Sequence, residues 1–265
     1  MYKLILTDLD GTLLKDDNTL TNKNHSLIHK AVAGGCPVVV CSGRSNMSLD
    51  EIIKRYDLPK TYTIGFNGGI IYNKDQIIYE AFLTKELVCE IIDIAKDFNC
   101  EPLMYQMSNL WIEKETPNTR NYAKRSYLTP VLVSSLKDNV TDNVSKIIFI
   151  GDNSTLKKME QKLSKAMGNK VSIVFSSQTL LEFNPPGVNK GVALKRLATH
   201  LNINISQTIA IGDSYNDLEM LEAAGLGVAM ANSNADIKFK ANYITENDNN
   251  NSGVGEVIEK FIMEE

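Results

Sequence analysis

Several kinds of protein chemistry have little to work with in this sequence. Its four cysteines, Cys36, Cys41, Cys89 and Cys100, show no metal-type spacing and mostly sit in apolar runs, so they read as buried free thiols and not as disulfides or a zinc site. Three histidines, His25, His29 and His200, fall in helix-like segments without a partner motif. They are assigned to exposed helix positions, and histidine catalysis is set aside. No apolar stretch approaches the length that crosses a bilayer, which argues against a membrane protein. Met1-Tyr2-Lys3 leads straight into an apolar run without the pattern of a secretory leader, and a cytoplasmic location is the expectation. Basic charge is not in excess either: a formal net charge of -4 argues against binding to nucleic acid and leaves small molecules as the natural partners.

What remains is an ordinary globular composition, 43% apolar and 23% charged, in a chain of 265 residues that can hold two cores. The first third alternates strand patterns near 3–8, 37–41 and 61–66 with helical ones near 22–34 and 48–56, and ends in a hairpin around Asn73-Lys74-Asp75-Gln76. The last third resumes that rhythm: helix 189–201, strand 207–212, helix 216–224, strand 226–230, helix 234–240, strand 243–245 and helix 254–262. Strands separated by helices imply βαβ crossovers and a doubly wound, mostly parallel α/β sheet.

Residues 84–184 read differently. Helices near 85–98, 118–127 and 155–167 are mixed with consecutive strands, some joined by short turns as at Met107-Ser108-Asn109, which suggests an antiparallel α+β unit inserted into the first domain. The expected division is a core of 1–83 and 185–265 and a cap of 84–184, with Pro185-Pro186-Gly187 as a stiff return linker. The run Asn247-Asp248-Asn249-Asn250-Asn251 reads as a surface loop.

The most informative residues are Asp8-Leu9-Asp10-Gly11-Thr12, directly after the apolar run Tyr2–Thr7. A buried strand ending in two carboxylates delivers acids to the edge where open α/β sheets bind ligands. Gly11 permits a sharp exit, and Thr12 can return a hydroxyl to the local backbone. Two like charges so close call for a cation or a shared proton, and metal binding follows. Further strand ends carry Ser42-Gly43-Arg44 and Gly212-Asp213-Ser214-Tyr215-Asn216-Asp217, while Lys190 opens a helix. In a parallel sheet these ends share one edge, so Asp8, Asp10, Ser42 and Asp213 can converge. Carboxylate oxygens suit Mg2+, and a hydroxyl, glycine N–H groups and a lysine suit a phosphoryl group.

With these motifs in place, the chain resembles a haloacid dehalogenase (HAD) superfamily phosphatase of the Cof-type subfamily with a C2B-type cap. Four family motifs stand in order: Asp8-Leu9-Asp10-Gly11-Thr12, Ser42-Gly43-Arg44, Lys190-Gly191 and Gly212-Asp213-Ser214-Tyr215-Asn216-Asp217. Asn67-Gly68-Gly69 and the Asn249–Val254 ending add to the likeness. The resemblance implies a Rossmann-like core and an Mg2+-dependent hydrolysis of small phosphate monoesters, such as sugar phosphates. It makes Asp8 the nucleophile that forms an aspartyl-phosphate and Asp10 the general acid and base. It assigns metal to the Asp8 carboxylate, the Asp10 carbonyl and Asp213; phosphate to Ser42, Gly43, Lys190 and Asn216; and supporting places to Thr12 and Asp217. Arg44 and Asn67 are open between substrate contacts and structural roles, an ion pair with Asp50 or Glu51 being the alternative for Arg44. A phosphomutase with the same core and cap, or a non-catalytic protein that binds phosphate ligands, are the rival readings; the expected assembly is a monomer or weak homo-oligomer.

One imitation is set aside. Ile150-Gly151-Asp152 copies Ile211-Gly212-Asp213, but Leu156 stands four residues on where the other motif has Asp217, so Asp152 is read as a helix cap.

Overall fold

The computed structural model describes residues 1–106 and 108–263, so Met107 of the expected turn lies outside the described residues. In chain order the elements are β1 (Leu4–Thr7), α1 (Asn22–Ala33), β2 (Val38–Cys41), α2 (Asn46–Arg55), β3 (Tyr62–Gly65), β4 (Ile70–Asn73), β5 (Ile77–Glu80) and α3 (Lys85–Ala95). Then come β6 (Glu101–Gln106), β7 (Asn109–Ile112), α4 (Pro117–Arg125), β8 (Val131–Leu132), β9 (Val144–Ile150), α5 (Asn153–Met167), β10 (Ser172–Ser177) and β11 (Leu180–Asn184). The chain closes with α6 (Lys190–His200), β12 (Thr208–Gly212), α7 (Leu218–Ala223), β13 (Leu226–Ala229), α8 (Ala235–Lys240), β14 (Tyr243–Ile244) and α9 (Gly253–Ile258).

These elements form two compact units: Met1–Gly43, Leu49–Tyr79 and Asn189–Glu265 make one, and Arg44–Ser48 with Glu80–Val188 the other. The first carries an eight-stranded sheet in the order β14-β13-β12-β1-β2-β3-β4-β5. From β14 through β3 neighbouring strands run parallel, and β4 is antiparallel to β3. Strands β1, β2 and β12 are fully buried, which is why each reads as an unbroken apolar run and not as an alternation. On one face Leu4, Leu6, Val39 and Cys41 pack against Ala193, Leu194 and Leu197 of α6. The chain leaves β1 toward β2 and β3 in one direction, and β12 leads toward β13 and β14 in the other. The β1/β12 border is therefore the topological switch point, where open α/β sheets bind ligands at their carboxyl ends.

The second unit has a six-stranded sheet, β10-β11-β9-β6-β7-β8, antiparallel apart from the β7–β8 pair. Helices α3 and α5 cover one face, with Val88, Ile91, Leu156 and Leu163 against Met104, Ile147, Phe149, Leu181 and Phe183. Asp152 caps α5 by accepting from the Thr155 N–H at 3.0 Å.

Several expectations need correction. The short strand β8 was not anticipated. His25 and His29 are half-buried, and only His200 is exposed. Asn249 is no surface residue: it is 1% exposed, and its amide donates to the Leu14 carbonyl at 3.0 Å and to Asp16 at 2.9 Å. Among the described residues no helix is long and apolar enough to cross a membrane.

Candidate active site

The register of the central strands sets the site. Thr7 of β1 is level with Val40 of β2 and Ile211 of β12, so the residues just beyond them, Asp8, Ser42 and Asp213, emerge on the same edge. The Asp8 N–H is held by the Ile211 carbonyl at 2.9 Å, and the Ser42 N–H by the Ile64 carbonyl at 2.9 Å. Asp8 and Ser42 are buried there.

Lys190 lies at the centre. Asn189 caps α6 by accepting from Val192 N–H at 2.7 Å, which places Lys190 in the first turn. Its side chain is fully buried, and its ammonium donates to Asp8 Oδ1 and to Asp217 Oδ1, both at 2.6 Å. Burial works against the charge on Lys190, but Asp217 and Asp8 outweigh it and hold the group above the ordinary lysine range. The ammonium stands between two acids.

Asp217 uses both oxygens. While Oδ1 meets Lys190, Oδ2 accepts from the Asp213 and Ser214 N–H groups at 3.0 Å each. Gly212 makes this possible, since a Cβ there would stand 2.5 Å from the Asp217 side chain. Asp213 accepts from Thr12 Oγ1 at 2.8 Å and from Ser214 Oγ at 3.1 Å. Thr12 thus serves a residue 201 positions away, where the sequence suggested a bond to its own local backbone. Gly11, at φ 80°, brings the turn so close that a Cβ would lie 2.8 Å from an Asp213 oxygen.

Oxygen atoms of Asp8, Asp213 and Asp217 lie within 4.8 Å of one another. Burial pushes the Asp8 carboxyl well above the usual carboxylate range; Lys190 opposes that, while Asp217, Asp213 and Asp10 add to it. Burial followed by Asp217 also raises Asp213. A hard cation relieves this crowding, and an all-carboxylate donor set fits Mg2+. Asp217, with both oxygens engaged, fits a positioning role better than ligation. The Asp10 side chain is exposed and stands outside that cluster.

Asn67 and Asn216 close the other side. Asn67 takes a left-handed conformation, φ 56°, donates its N–H to the Ser42 carbonyl at 2.9 Å, and accepts from the Asn216 amide at 3.1 Å. A Cβ on Gly43 would come within 3.0 Å of the Asn67 side chain. Asn67 is therefore tied to the Ser42-Gly43 turn. Arg44 belongs to the second unit, where its guanidinium donates to the Arg125 carbonyl at 2.8 Å. The neighbouring Cys41 thiol is buried and pushed up to about 12, which leaves it unreactive.

The second unit has a polar sheet face of its own. Opposite its apolar face, register places Tyr105 beside Lys146, and Glu182 and Asn184 alternate with the core residues Leu181 and Phe183. Lys146 and Glu182 form a buried ion pair at 3.1 Å. The Tyr105 and Tyr122 hydroxyls are 3.1 Å apart, and burial pushes Tyr105 up to about 12. Asn184 is 1% exposed, and neither its amide nitrogen nor its oxygen has a hydrogen-bond partner among the described residues. Sequence reasoning missed Lys146, Glu182 and Asn184; for the first two the available signal was a charge inside a strand-like apolar run. Trp111, by contrast, packs on the apolar core and donates to the Gln106 carbonyl.

Residues 5–258 match a family model described as haloacid dehalogenase-like hydrolase. The 5-amino-6-(5-phospho-D-ribitylamino)uracil phosphatase YcsE of Bacillus subtilis is 30% identical over 98% of this chain and 96% of its own length. The HMP-PP phosphatase of Cronobacter sakazakii is 28% identical over 88% of this chain and 85% of its own. A crystal structure of a haloacid dehalogenase-like hydrolase from Bacteroides thetaiotaomicron superposes with a TM-score of 0.91 at 29% identity, covering 98% of this chain and 99% of that one.

Proposed function

This chain belongs to the haloacid dehalogenase-like hydrolases and is a phosphatase of that family, and from that premise we propose that it hydrolyses small phosphate monoesters, such as sugar phosphates, in an Mg2+-dependent reaction through an aspartyl-phosphate on Asp8. The observation that carries the reading is the buried Lys190 bridging Asp8 and Asp217 at 2.6 Å each, beside Asp213. The Bacillus subtilis relative is named for a small organic phosphate, 5-amino-6-(5-phospho-D-ribitylamino)uracil, which supports that substrate class.

In this scheme Asp8 keeps one oxygen on Lys190 and attacks phosphorus with the other, forming a P–O bond as the ester P–O bond breaks. Asp10, whose side chain is exposed, gives its proton to the departing alkoxide. Asp10 then takes a proton from water as the water oxygen attacks phosphorus. The bond to Asp8 breaks, and inorganic phosphate leaves. Ser42, the Gly43 N–H, Lys190 and Asn216 bind the transferring oxygens. Mg2+, held by the Asp8 and Asp213 carboxylates and the Asp10 carbonyl, would supply charge neutralisation for the phosphoryl group. Thr12 and Ser214 orient Asp213, and Asp217 orients Lys190.

Choice among substrates is assigned to the insert, residues 84–184, and within it to the polar face that carries Tyr105, Tyr122, Lys146, Glu182 and Asn184. The test of the function is turnover of a panel of sugar phosphates and nucleotides, with acid quench and hydroxylamine trapping of the acyl phosphate. Release of inorganic phosphate with a trapped Asp8 adduct is expected. Transfer of phosphate to a second substrate hydroxyl without release would replace this reading with a phosphomutase.

A further inference from the structure

Apart from the acidic site, one other group of potential metal ligands occurs among the described residues: His25, His29 and Asp57. His25 and His29 are four residues apart on α1 and so share a face, one turn above the other. Their ring centroids are 4.5 Å apart. Asp57 is in the turn that follows α2, and its backbone carbonyl lies 2.8 Å from His29 Nε2. With the proton on Nε2, that nitrogen donates to the carbonyl, and the lone pair of His29 is on Nδ1. A carbonyl partner of this kind orients the ring of metal-binding histidines.

We propose that His25, His29 and Asp57 form a second metal site, for a first-row transition ion such as Zn2+, that clips α1 to the turn after α2. One ligand atom from each residue lies within 4.8 Å of the other two. A tetrahedral ion with bonds of about 2.0–2.1 Å needs ligand separations of about 3.3 Å, so closure of roughly an ångström to an ångström and a half completes the set. The exposed Asp57 carboxylate can supply much of that movement. Two imidazoles, which are borderline ligands, select Zn2+ over Mg2+ even beside one carboxylate, whereas the all-carboxylate site has the opposite preference. Three protein ligands leave a position for water. Since the ligands come from two elements of the fold, binding stabilises the folded chain.

The experiment uses the full, metal-stripped chain and Zn2+ alone, titrated calorimetrically into the wild type and into His25→Ala/His29→Ala. Both proteins keep the acidic site, so the difference between them reports the histidine site. The wild type should take up one more equivalent of Zn2+ and show a Zn2+-dependent rise in Tm that the double variant lacks. Equal stoichiometry, affinity and Tm response in the two proteins overturns the proposal. Should the double variant fail to fold, Co2+ bound to the wild type decides: tetrahedral ligand-field bands support the site, and their absence overturns it. Asp57→Asn should weaken Zn2+ binding by at least the roughly 10–100-fold that follows loss of an outer-shell partner, and Mg2+-supported turnover should be unchanged in both variants.

Discussion

Lys190 reaches across 182 positions of sequence to hold Asp8 Oδ1 at 2.6 Å, with both side chains buried. The contact joins the first strand to a helix that starts after the insert, and the same ammonium holds Asp217. A single cation therefore restrains the proposed nucleophile and the residue that shapes the Asp213 turn.

Removing that link should be costly for both stability and catalysis. Asp217→Ala leaves the buried Lys190 with one acid and the Asp213 and Ser214 N–H groups without their acceptor. A loss of about 3–5 kcal/mol is expected, as for other broken buried pairs. Urea unfolding of the two proteins measures it, and a change under 1 kcal/mol would contradict the positioning role.

The two motif acids should fail differently. Asp8→Asn should abolish both turnover and the hydroxylamine-sensitive adduct, because an amide is no useful nucleophile. Asp10→Asn should lower kcat by on the order of 10²–10⁴ with substrate binding retained. Wild-type turnover by Asp8→Asn would sink the mechanism.

Metal dependence is expected from the crowding of Asp8, Asp213 and Asp217. Stripping the protein with a chelator should abolish activity, Mg2+ should restore it, and Ca2+ should inhibit. The larger ion accepts more oxygens and can draw both Asp8 oxygens into coordination. Full activity in excess chelator would refute the scheme.

A pH effect is expected at Asp152. Hydrogen bonds from Ser154 and Thr155 hold its carboxyl below the usual range, so the folded value lies below the unfolded one. Its stabilisation is complete above the unfolded value, about 3.9, and is lost as pH falls through the folded value. The Tm difference between wild type and Asp152→Ala should be constant near neutrality and shrink in acid. A difference that grows as pH falls would reverse the sign and the argument.

Much of this could be read from the sequence for identifiable reasons. Leu4–Thr7, Val38–Cys41 and Thr208–Gly212 stand out because parallel strands buried on both faces are apolar throughout. Residue type and strand-end position were enough to expect Asp8, Asp10, Ser42 and Asp213 at one sheet edge, although the Asp10 side chain is exposed and stands outside the acidic cluster. Val131–Leu132 was missed because two residues carry no period. The left-handed Asn67 and the burial of Asn249 depend on contacts more than 100 positions apart or on backbone angles, and the two-sided use of Asp217 depends on a lysine 27 positions upstream, none of which a local pattern encodes. The pairing of Lys146 with Glu182 was hidden for the same reason: strand register brings them together, and register is decided by the whole sheet.

Asn184 offers the sharpest test of the insert as selector. Its carboxamide is buried with no hydrogen-bond partner among the described residues, an arrangement that costs about 1–3 kcal/mol. A group held at that cost and set on the polar face of the sheet beside Glu182 is suited to a ligand's hydroxyl or amide. Asn184→Leu removes the unmet polar atoms at similar volume, so stability should stay level or rise by about 1 kcal/mol. Selectivity should move the opposite way. The ratio of kcat/KM for a sugar phosphate over an aryl phosphate should fall by roughly 10–200-fold, the range of a lost pocket contact, with the Mg2+ requirement unchanged. Tyr122→Phe, which removes the hydroxyl facing Tyr105, should shift the same ratio. If both variants fold and both keep the parent ratio across the panel, the polar face of the insert does not choose the substrate.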